Sequence, residues 1–279
     1  MTWRELLGTT AGVLGARHEA RLLLEEVAGS DLARLAPRLD EAPSPGALAA
    51  LEAATRRRLA GEPLQYVLGH WGFRSLDLLV DCRALIPRPE TEVVVEHALA
   101  ELARHPAPAR AADLGTGSGA IALALALEGG AAVVAVEASR AALELARANL
   151  ERLPSAVAAR VELVEGDFYE ALGAASPAAF DCIVSNPPYL AVAEWERLDP
   201  VVRDHEPKEA LVAGPTGLEA IEVVVSGAPD HLSPGGSLVL ELAPHQADEV
   251  LALAARAGAR EAAVQRDLAG RRRVLVARW

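Results

Sequence analysis

Hydrophobic positions follow two different patterns along the chain, and the change of pattern divides the chain into two parts. In residues 1–68 apolar side chains recur with the spacing of one helical face. The clearest run comprises Ala20, Leu23, Leu24, Val27 and Ala28. It ends at Gly29, and a second helical run, "ALAALEAATRRRLAG", follows a loop rich in proline. Residues 1–68 are therefore predicted to form an N-terminal helical-bundle domain.

A short segment of different character comes next. Apolar residues alternate with other residues in "GHWGF", and they alternate on the opposite parity in "SLDLLV". A turn near Arg74–Ser75 reconciles the two patterns, which predicts a β-hairpin. We interpret residues 69–86 as a hairpin linker between two domains.

From residue 109 onward, short apolar runs alternate with helical patterns. The strand candidates are residues 110–114, 132–137, 160–165, 180–185, 236–242, 260–266 and 272–278. Helical patterns fit between the first five, which indicates a mostly parallel sheet with helices on both faces. Only "DLAGR" separates the last two candidates, and so short a connection requires an antiparallel pair. Residues 87–279 are predicted to form one α/β domain.

Charge narrows the classes of function. The chain has 279 residues and a formal net charge of -12. Residues 1–75 carry equal numbers of basic and acidic side chains, so the whole negative excess lies in residues 76–279. Such a balance disfavours a protein that works by binding phosphate backbones, and no stable nucleic-acid binding is expected.

Targeting and metal-binding signals are weak. The longest apolar helical pattern, "AIALALALEGG", is too short to span a bilayer, and the N-terminus lacks the apolar core of a signal peptide. Cys82 and Cys182 match no metal-ligand spacing. We expect a cytoplasmic protein without a metal site or a membrane span.

A glycine-rich turn connects the first strand candidate to a helix in "AADLGTGSGAIALALA". Gly115, Gly117 and Gly119 allow the backbone to turn tightly and to approach a ligand closely. Glu137 ends the next strand, where an acid can bind ribose hydroxyls. The turn by itself also satisfies the loose dinucleotide-binding fingerprint, so the pattern leaves the ligand open.

The charges around this turn help to choose the ligand. No lysine or arginine lies between Ala111 and Ser139, and the lysine of a triphosphate-binding loop is missing. S-adenosylmethionine has no phosphate and carries a sulfonium and an ammonium group, which suit an acidic, glycine-rich pocket. Asp167 and Phe168 follow the third strand candidate, where they can hydrogen-bond and pack against an adenine.

The strand candidate "FDCIVS" ends in a polar tip formed by Asn186, Pro187, Pro188 and Tyr189. In a doubly wound sheet the fourth strand lies beside the first, so this tip should face the ligand of the glycine turn. Consecutive prolines fix φ and remove N–H groups, which leaves carbonyl oxygens free to accept hydrogen bonds. The Asn186 side-chain oxygen and the Pro187 carbonyl can accept both hydrogens of a planar NH2 group, while Tyr189 stacks on its plane.

Methyl transfer to such a nitrogen requires this kind of device. An amide or adenine amino nitrogen is delocalised and poorly nucleophilic, so acceptors that strengthen as it becomes cationic stabilise the transition state selectively. Holding the nitrogen towards the methyl group also supplies orientation. No general base is evident, and the proton can leave after methyl transfer.

Several stretches, in their order along the chain, resemble the HemK/PrmC family of release factor glutamine methyltransferases. They are "GEPLQYVLG", "LIPRPETE", "DLGTGSGAIALALA", "SNPPYL", "EPKEALVAGPTGLEAI" and "DLAGRRRVLVARW". The resemblance implies a Rossmann-like, seven-stranded class I S-adenosylmethionine methyltransferase fold behind a helical substrate-recognition domain. It also implies methylation at N5 of the glutamine in the Gly-Gly-Gln motif of class I peptide chain release factors.

The resemblance assigns roles to individual residues. Those expected to hold the cofactor are Asp113, Gly115, Thr116, Gly117, Ser118, Gly119, Glu137, Asp167, Phe168 and Asn186. Those expected to be catalytic and to hold the substrate glutamine are Asn186, Pro187, Pro188 and Tyr189. Glu137 stands where an aspartate is commoner, which preserves a ribose contact. Arg88 and Glu90 are further candidates for the site.

The residues by themselves leave three other functions open. An N-methyltransferase acting on the exocyclic amino group of a nucleic-acid base needs the same acceptors, but it must also flip the base, and the acidic catalytic part disfavours it. A nicotinamide oxidoreductase would use the same glycine turn without needing the polar tip. An adaptor that senses the cofactor and binds translation factors would bind without turnover.

Overall fold

The structure, a computed structural model, describes residues 1–172 and 180–279. It divides into two compact units. The first comprises Met1–His70 and Asp199–His205, and the second comprises Trp71–Leu198 and Glu206–Trp279. In the described ranges, no helix combines the length and the apolar character that crossing a membrane requires.

Short helices and strands account for most of the described chain. The helices are α1 (Trp3–Leu14), α2 (Arg17–Ala28), α3 (Leu32–Leu35), α4 (Pro45–Leu59), α5 (Leu64–Leu68), α6 (Pro89–Leu102), α7 (Ala120–Glu128), α8 (Arg140–Glu151), α9 (Ser155–Ala158), α10 (Val192–Trp195), α11 (Pro200–Arg203), α12 (Glu219–His231) and α13 (Ala247–Arg256). The strands are β1 (His70–Phe73), β2 (Leu76–Leu79), β3 (Arg110–Leu114), β4 (Ala132–Glu137), β5 (Val161–Glu165), β6 (Phe180–Ser185), β7 (Leu190–Ala191), β8 (Val212–Gly214), β9 (Leu232–Glu241), β10 (Glu261–Arg266) and β11 (Arg272–Arg278).

The first unit is helical, as the periodicity predicts. In α2 the buried side chains are Ala20, Leu23 and Leu24, which share one face. Gly29 ends this helix with a φ of 61°, a left-handed conformation that favours glycine. Arg58 at the end of α4 forms an ion pair with Glu19 of α2, with 2.7 Å between Nε and Oε2. The segment Asp199–His205, which contains α11, belongs to this unit although it comes much later in the chain.

The predicted hairpin is present at the start of the second unit. Strands β1 and β2 pair in a two-stranded sheet, and Arg74 and Ser75 form the turn between them. Arg74 has a φ of 51° there. Phe73 and Leu78 are buried in the hydrophobic core of the second unit, so the pair packs on that core.

The second unit is built on a seven-stranded sheet with the order β10-β11-β9-β6-β3-β4-β5. The central pairs are parallel, and β10 and β11 are antiparallel, as the short last connection predicts. Strand β11 is also antiparallel to β9. The fourth predicted strand, β6, lies beside the first, β3. Strand β9 begins four residues before the predicted start at residue 236, because Leu232 already pairs with Phe180 across an irregularity of the register. Pro234 and Gly235 lie in this irregular stretch, and proline and glycine are common at such bulges.

Helices cover both faces of this sheet. On one face, α6 and α7 pack over Cys182, Val184 and Val239. On the other, α12 and α13 pack over Ile183 and Leu240. Neighbouring residues of one strand point to opposite faces, so strands buried on both sides are apolar throughout. Such strands can therefore be recognised in the sequence as continuous apolar runs.

The register of the parallel strands sets up the functional edge of the sheet. Leu114 pairs with Val136 on one side and with Ser185 on the other, and Ser185 also pairs with Leu240. The next residue along each strand therefore emerges at the same level of the carboxyl edge. These residues are Gly115, Glu137, Asn186 and Glu241.

Candidate active site

A cavity of about 240 Å³ opens at this carboxyl edge, within the second unit. Most of the predicted cofactor residues line it. They are Gly115, Thr116, Gly117, Ser118, Glu137, Asp167, Phe168 and Asn186, and Pro188 of the polar tip joins them. Asp113, Gly119, Pro187 and Tyr189 do not belong to the cavity wall.

The glycine turn adopts a backbone that other residues rarely allow. Gly115, Gly117 and Gly119 have φ values of 77°, 58° and 87°. A Cβ on Gly117 would meet no atom within 4 Å, so this backbone faces open space in the cavity wall. A Cβ on Gly119 would lie 3.2 Å from Cδ1 of Leu123 in α7. The turn thus combines an open approach for a ligand with tight packing behind it.

Asp113 lies behind the turn and is fully buried. Its Oδ2 accepts hydrogen bonds from the Thr116 hydroxyl at 2.6 Å and from the Ala122 N–H at 3.0 Å. Burial raises the pKa of the Asp113 carboxyl to about 7. The sequence places Asp113 among the cofactor ligands, whereas these contacts hold the turn on the first residues of α7.

Glu137 links the turn to the end of β4. One carboxylate oxygen accepts the Gly117 N–H at 2.8 Å, and the other accepts the Ser139 N–H at 2.9 Å. Each oxygen keeps a lone pair for a further donor. Burial raises the pKa of Glu137, and these backbone donors oppose the rise. The carboxylate is therefore held in one orientation at the cavity wall.

Asp167 and Phe168 also line the cavity, and Phe168 lies near the turn. Phe168 has a φ of 36°, which is rare for a bulky side chain. This backbone brings its ring within 3.8 Å of the position that a Cβ on Gly115 would occupy. The ring thus packs close to the glycine backbone and presents an apolar surface at the cavity wall.

Residues 83–88 form another wall, which the sequence did not predict apart from Arg88. Glu206 holds this segment, because its carboxylate accepts the Ile86 N–H at 3.1 Å and pairs with Arg88. Arg83 pairs with Asp81 at 2.7 Å. Glu90, the other candidate, pairs with Arg271 at 2.8 Å and does not line the cavity. These arginines are thus neutralised by carboxylates.

The polar tip after β6 rests on a chain of hydrogen bonds. The Asn186 Nδ2 amide donates to Oγ1 of Thr91, in the first turn of α6, at 3.2 Å. The Thr91 hydroxyl donates to Oε2 of Glu241, the last residue of β9, at 2.7 Å. Neither Thr91 nor Glu241 was predicted from the sequence. The only signals were a threonine inside "PRPETE" and an acid at the end of the apolar run "SLVLE".

Tyr189 joins the same carboxylate from the other side. Its hydroxyl donates to Oε1 of Glu241 at 3.3 Å, and Gln246 donates to the Tyr189 carbonyl at 2.9 Å. Burial raises the pKa of both the Tyr189 hydroxyl and Glu241. For Glu241 the hydrogen bond from Thr91, the charge of Arg273 and the hydrogen bond from Tyr189 oppose the rise.

The fold and the edge of the sheet together define the class of protein. A seven-stranded sheet of this order, with a glycine turn, an acid ending the next strand and an Asn-Pro-Pro-Tyr tip, is that of a class I methyltransferase with S-adenosylmethionine as methyl donor. Residues 91–198 match the family described as Methyltransferase small domain, and residues 4–69 match PrmC N-terminal domain. The chain belongs to the release factor glutamine methyltransferase family.

Individual relatives cover nearly the whole chain. The release factor glutamine methyltransferase of Geobacter sulfurreducens is 43% identical over 248 residues, which are 88% of this chain and 84% of that protein. The protein of the same name from Moorella thermoacetica is 43% identical over 99% of this chain and 98% of its own length. A methyltransferase structure from Pyrococcus furiosus is similar in fold, with a TM-score of 0.52 and 20% identity over 81% of this chain and 98% of that one.

The donor groups of the cavity fit the chemistry of S-adenosylmethionine. Glu137, Asp167 and Glu209 supply carboxylates at the wall, while Arg83 and Arg88 are already paired with acids. The carboxylates at the wall outnumber the arginines, and this negative net charge favours a cationic ligand. The glycine turn admits close approach of a ligand to the backbone, and the Phe168 ring offers an apolar surface for an adenine. When bound, the cofactor supplies a methyl group activated by a sulfonium.

Proposed function

We propose that the chain transfers a methyl group from S-adenosylmethionine to N5 of the glutamine in the Gly-Gly-Gln motif of class I peptide chain release factors. The observation that carries this proposal is the placement of Asn186 beside Gly115 at one edge of the sheet, at the wall of one cavity. The family membership of the chain supports the substrate class.

The cofactor roles follow from the cavity wall. Gly115, Thr116, Gly117 and Ser118 give a backbone surface, and Glu137 accepts the ribose hydroxyls. Asp167 and Phe168 hold the adenine. Asp113 and Gly119 lie outside the wall, so we assign them to holding the turn.

The glutamine roles fall on the tip. Asn186 Oδ1 and the Pro187 carbonyl accept the two hydrogens of the amide NH2 group, Pro188 fixes the backbone between them and Tyr189, and the Tyr189 ring packs on the amide plane. Pro187 and Tyr189 lie outside the cavity wall, which supports their assignment to the substrate and not to the cofactor. The two acceptors strengthen as the amide nitrogen gains positive charge, so they stabilise the transition state selectively.

The remaining assignments concern partners. The helical first unit docks the release factor, and residues 87–279 form the catalytic domain. Stable nucleic-acid binding is not proposed, because the excess of negative charge lies in residues 76–279. Since the proposed substrate acts at the ribosome, the reaction takes place in the cytoplasm.

Methyl-labelled S-adenosylmethionine tests the proposal directly. The protein is offered a release factor, the same factor with alanine replacing the glutamine of its Gly-Gly-Gln motif, duplex DNA and tRNA. We expect label only in the unaltered factor, and loss of label with the Asn186→Ala enzyme. Label in DNA or tRNA but not in the factor would replace the substrate by a nucleic-acid base. Binding of cofactor and factor without any label would indicate an adaptor.

A further inference from the structure

The hydrogen-bond chain behind the polar tip connects three parts of the fold. Thr91 lies at the start of α6, Asn186 follows β6, and Glu241 ends β9. Thr91 is 4% exposed and Glu241 is 1% exposed, so neither group exchanges its partners freely with water. Buried polar groups of this kind act as a unit, because each lost contact leaves another group unsatisfied.

The direction of these hydrogen bonds fixes the orientation of the Asn186 amide. Glu241 accepts hydroxyl hydrogens on both oxygens, from Thr91 and from Tyr189. The two hydroxyl donors and the charge of Arg273 favour the ionised form of Glu241, which only accepts hydrogen bonds and so requires Thr91 to donate. The Thr91 oxygen can then only accept from Asn186, so the NH2 group must face Thr91. If the amide were reversed, Asn186 Oδ1 would face the Thr91 oxygen, and neither oxygen would have a hydrogen to donate.

The consequence concerns the other end of the same amide. With Nδ2 committed to Thr91, Oδ1 is directed away from it and stays available as an acceptor. The hydrogen bond from Nδ2 to Thr91, which itself donates to Glu241, also increases the electron density on Oδ1, because the two ends of an amide are conjugated. Fixed dipoles and charges of this kind are most effective in a site that excludes water.

We infer that Thr91 and Glu241 are positioning residues for methyl transfer, which hold the Asn186 amide with its oxygen towards the substrate nitrogen and strengthen that oxygen as an acceptor. The inference rests on the proposed role of Asn186. Glu241 extends the effect to the hydroxyl of Tyr189, so one carboxylate supports two of the four residues at the tip. Neither positioning residue forms or breaks a bond in the reaction.

Thr91→Val is the most direct test, because it removes the hydroxyl and keeps the branched shape. We expect kcat with a release factor to fall by about tenfold to a hundredfold, as for a misplaced catalytic group. Thr91 also lines the cavity. The Kd for S-adenosylmethionine is therefore measured separately by calorimetry, and it should stay within about threefold of the wild-type value, since one neutral contact at most is lost.

Three further variants separate positioning from packing. Thr91→Ser restores the hydroxyl and should recover most of kcat, whereas a purely structural role would not favour serine over the better-filling valine. Ser237→Ala removes another buried hydroxyl from β9, four residues before Glu241, and should leave kcat unchanged. Glu241→Gln keeps the shape and removes the charge, and it decides the matter if Thr91→Val does not fold.

The outcomes distinguish this inference from the proposed function. A fall in kcat for Thr91→Val or Glu241→Gln, with the Kd for S-adenosylmethionine retained and with rescue by Thr91→Ser, supports it. Wild-type kcat in both variants overturns it. If Asn186→Ala is inactive while both variants are fully active, the role of Asn186 stands and only the positioning network falls. If Asn186→Ala is also active, the proposed role of Asn186 falls too.

Discussion

The glycine turn after β3 and the polar tip after β6 lie side by side, but different kinds of contact hold them. The contacts of the turn are nearly all close in sequence: Asp113 to Thr116 spans three residues, and Gly117 to Glu137 spans 20. The contacts of the tip reach much further. Asn186 to Thr91 spans 95 residues, and Thr91 to Glu241 spans 150. One half of the site is therefore local, and the other depends on the assembled sheet.

This difference predicts that substitutions in the two halves of the site affect different properties. A change at the turn should alter cofactor affinity or the local folding of the β3–α7 connection. A change at the tip should alter kcat, because the proposed function assigns the tip to the substrate nitrogen. The four predictions that follow test the division, from the largest expected effect to the smallest.

The largest effect is expected at the tip. Asn186→Ala should lower kcat with a release factor by about 10²–10³-fold, as for the loss of one transition-state hydrogen bond in a dry site. The Kd for S-adenosylmethionine should change by less than about tenfold, since Asn186 is one of many residues at the wall. Steady-state kinetics and calorimetry measure the two. If the affinity for S-adenosylmethionine falls while kcat is unchanged, the tip serves the cofactor, and the division of the site into a cofactor half and a substrate half is wrong.

The next effect is on stability. Gly119→Ala should lower the free energy of unfolding by about 1–3 kcal/mol, because alanine is strained at positive φ and its Cβ would lie 3.2 Å from Leu123 Cδ1. Denaturant titration measures it. The control is Gly8→Ala in α1, where a Cβ meets no atom within 4 Å and where the backbone is helical. It should gain about 0.5–1 kcal/mol. Equal effects of the two substitutions would contradict the tight packing behind the turn.

Glu137→Gln tests the cofactor end with a smaller effect. A carboxamide places an NH2 group against one of the two backbone N–H donors, Gly117 or Ser139. We expect the KM for S-adenosylmethionine to rise about tenfold, a cost of roughly 1.4 kcal/mol, with little change in kcat. Glu165→Gln is the matched control, since Glu165 pairs with Glu137 in the sheet but is exposed. A loss confined to kcat would move Glu137 to the catalytic half.

The smallest effect on activity is expected for a substitution that changes the pH dependence of stability. The pKa of Asp113 is raised to about 7 in the folded protein, against roughly 3.9 in an unfolded chain. Between these values the folded state holds a proton that the unfolded state has released, so the free energy of unfolding falls as pH rises from about 4 to about 7.

Asp113→Asn removes this titration. Asparagine can accept both donors of Asp113 on one oxygen, as Oδ2 does now. The variant should gain stability relative to the wild type by roughly 1.4 kcal/mol for each pH unit between pH 5 and pH 7, since one pKa unit is worth about that much. Parallel denaturation curves at pH 5 and pH 8 measure the difference. The same stability difference at both pH values would show that Asp113 does not titrate in this range.

The half of the site around the glycine turn could be predicted from sequence because the residues that define it lie in two short, neighbouring runs. The runs "AADLGTGSGA" and "VVAVE" contain both strands, the turn and the acid, and strand pairing brings them together without further choices. The tip itself could be predicted for a related reason. Two prolines after a buried strand must stop the strand, and a parallel sheet must bring its end to the ligand edge.

The support of the tip could not be predicted in this way. In the sequence, Thr91 is only a threonine inside "PRPETE", and Glu241 is only an acid near the end of the strand candidate 236–242. Only the three-dimensional pairing of α6, β6 and β9 shows that the two residues share a hydrogen bond. The wall at residues 83–88 is a similar case, because Glu206, far away in sequence, holds it in place.

The return of Asp199–His205 to the first unit affects how this protein can be recombined with its relatives. A chimaera that exchanges only residues 1–70 would set a foreign helical unit against the native return segment. His205 Cε1, for example, lies 3.5 Å from where a Cβ on Gly61 would be, so the packing there is shared by both stretches. Residues 1–70 and Asp199–His205 must therefore be exchanged together. Exchanging the helical unit of this enzyme requires two cuts more than the order of its domains along the chain suggests.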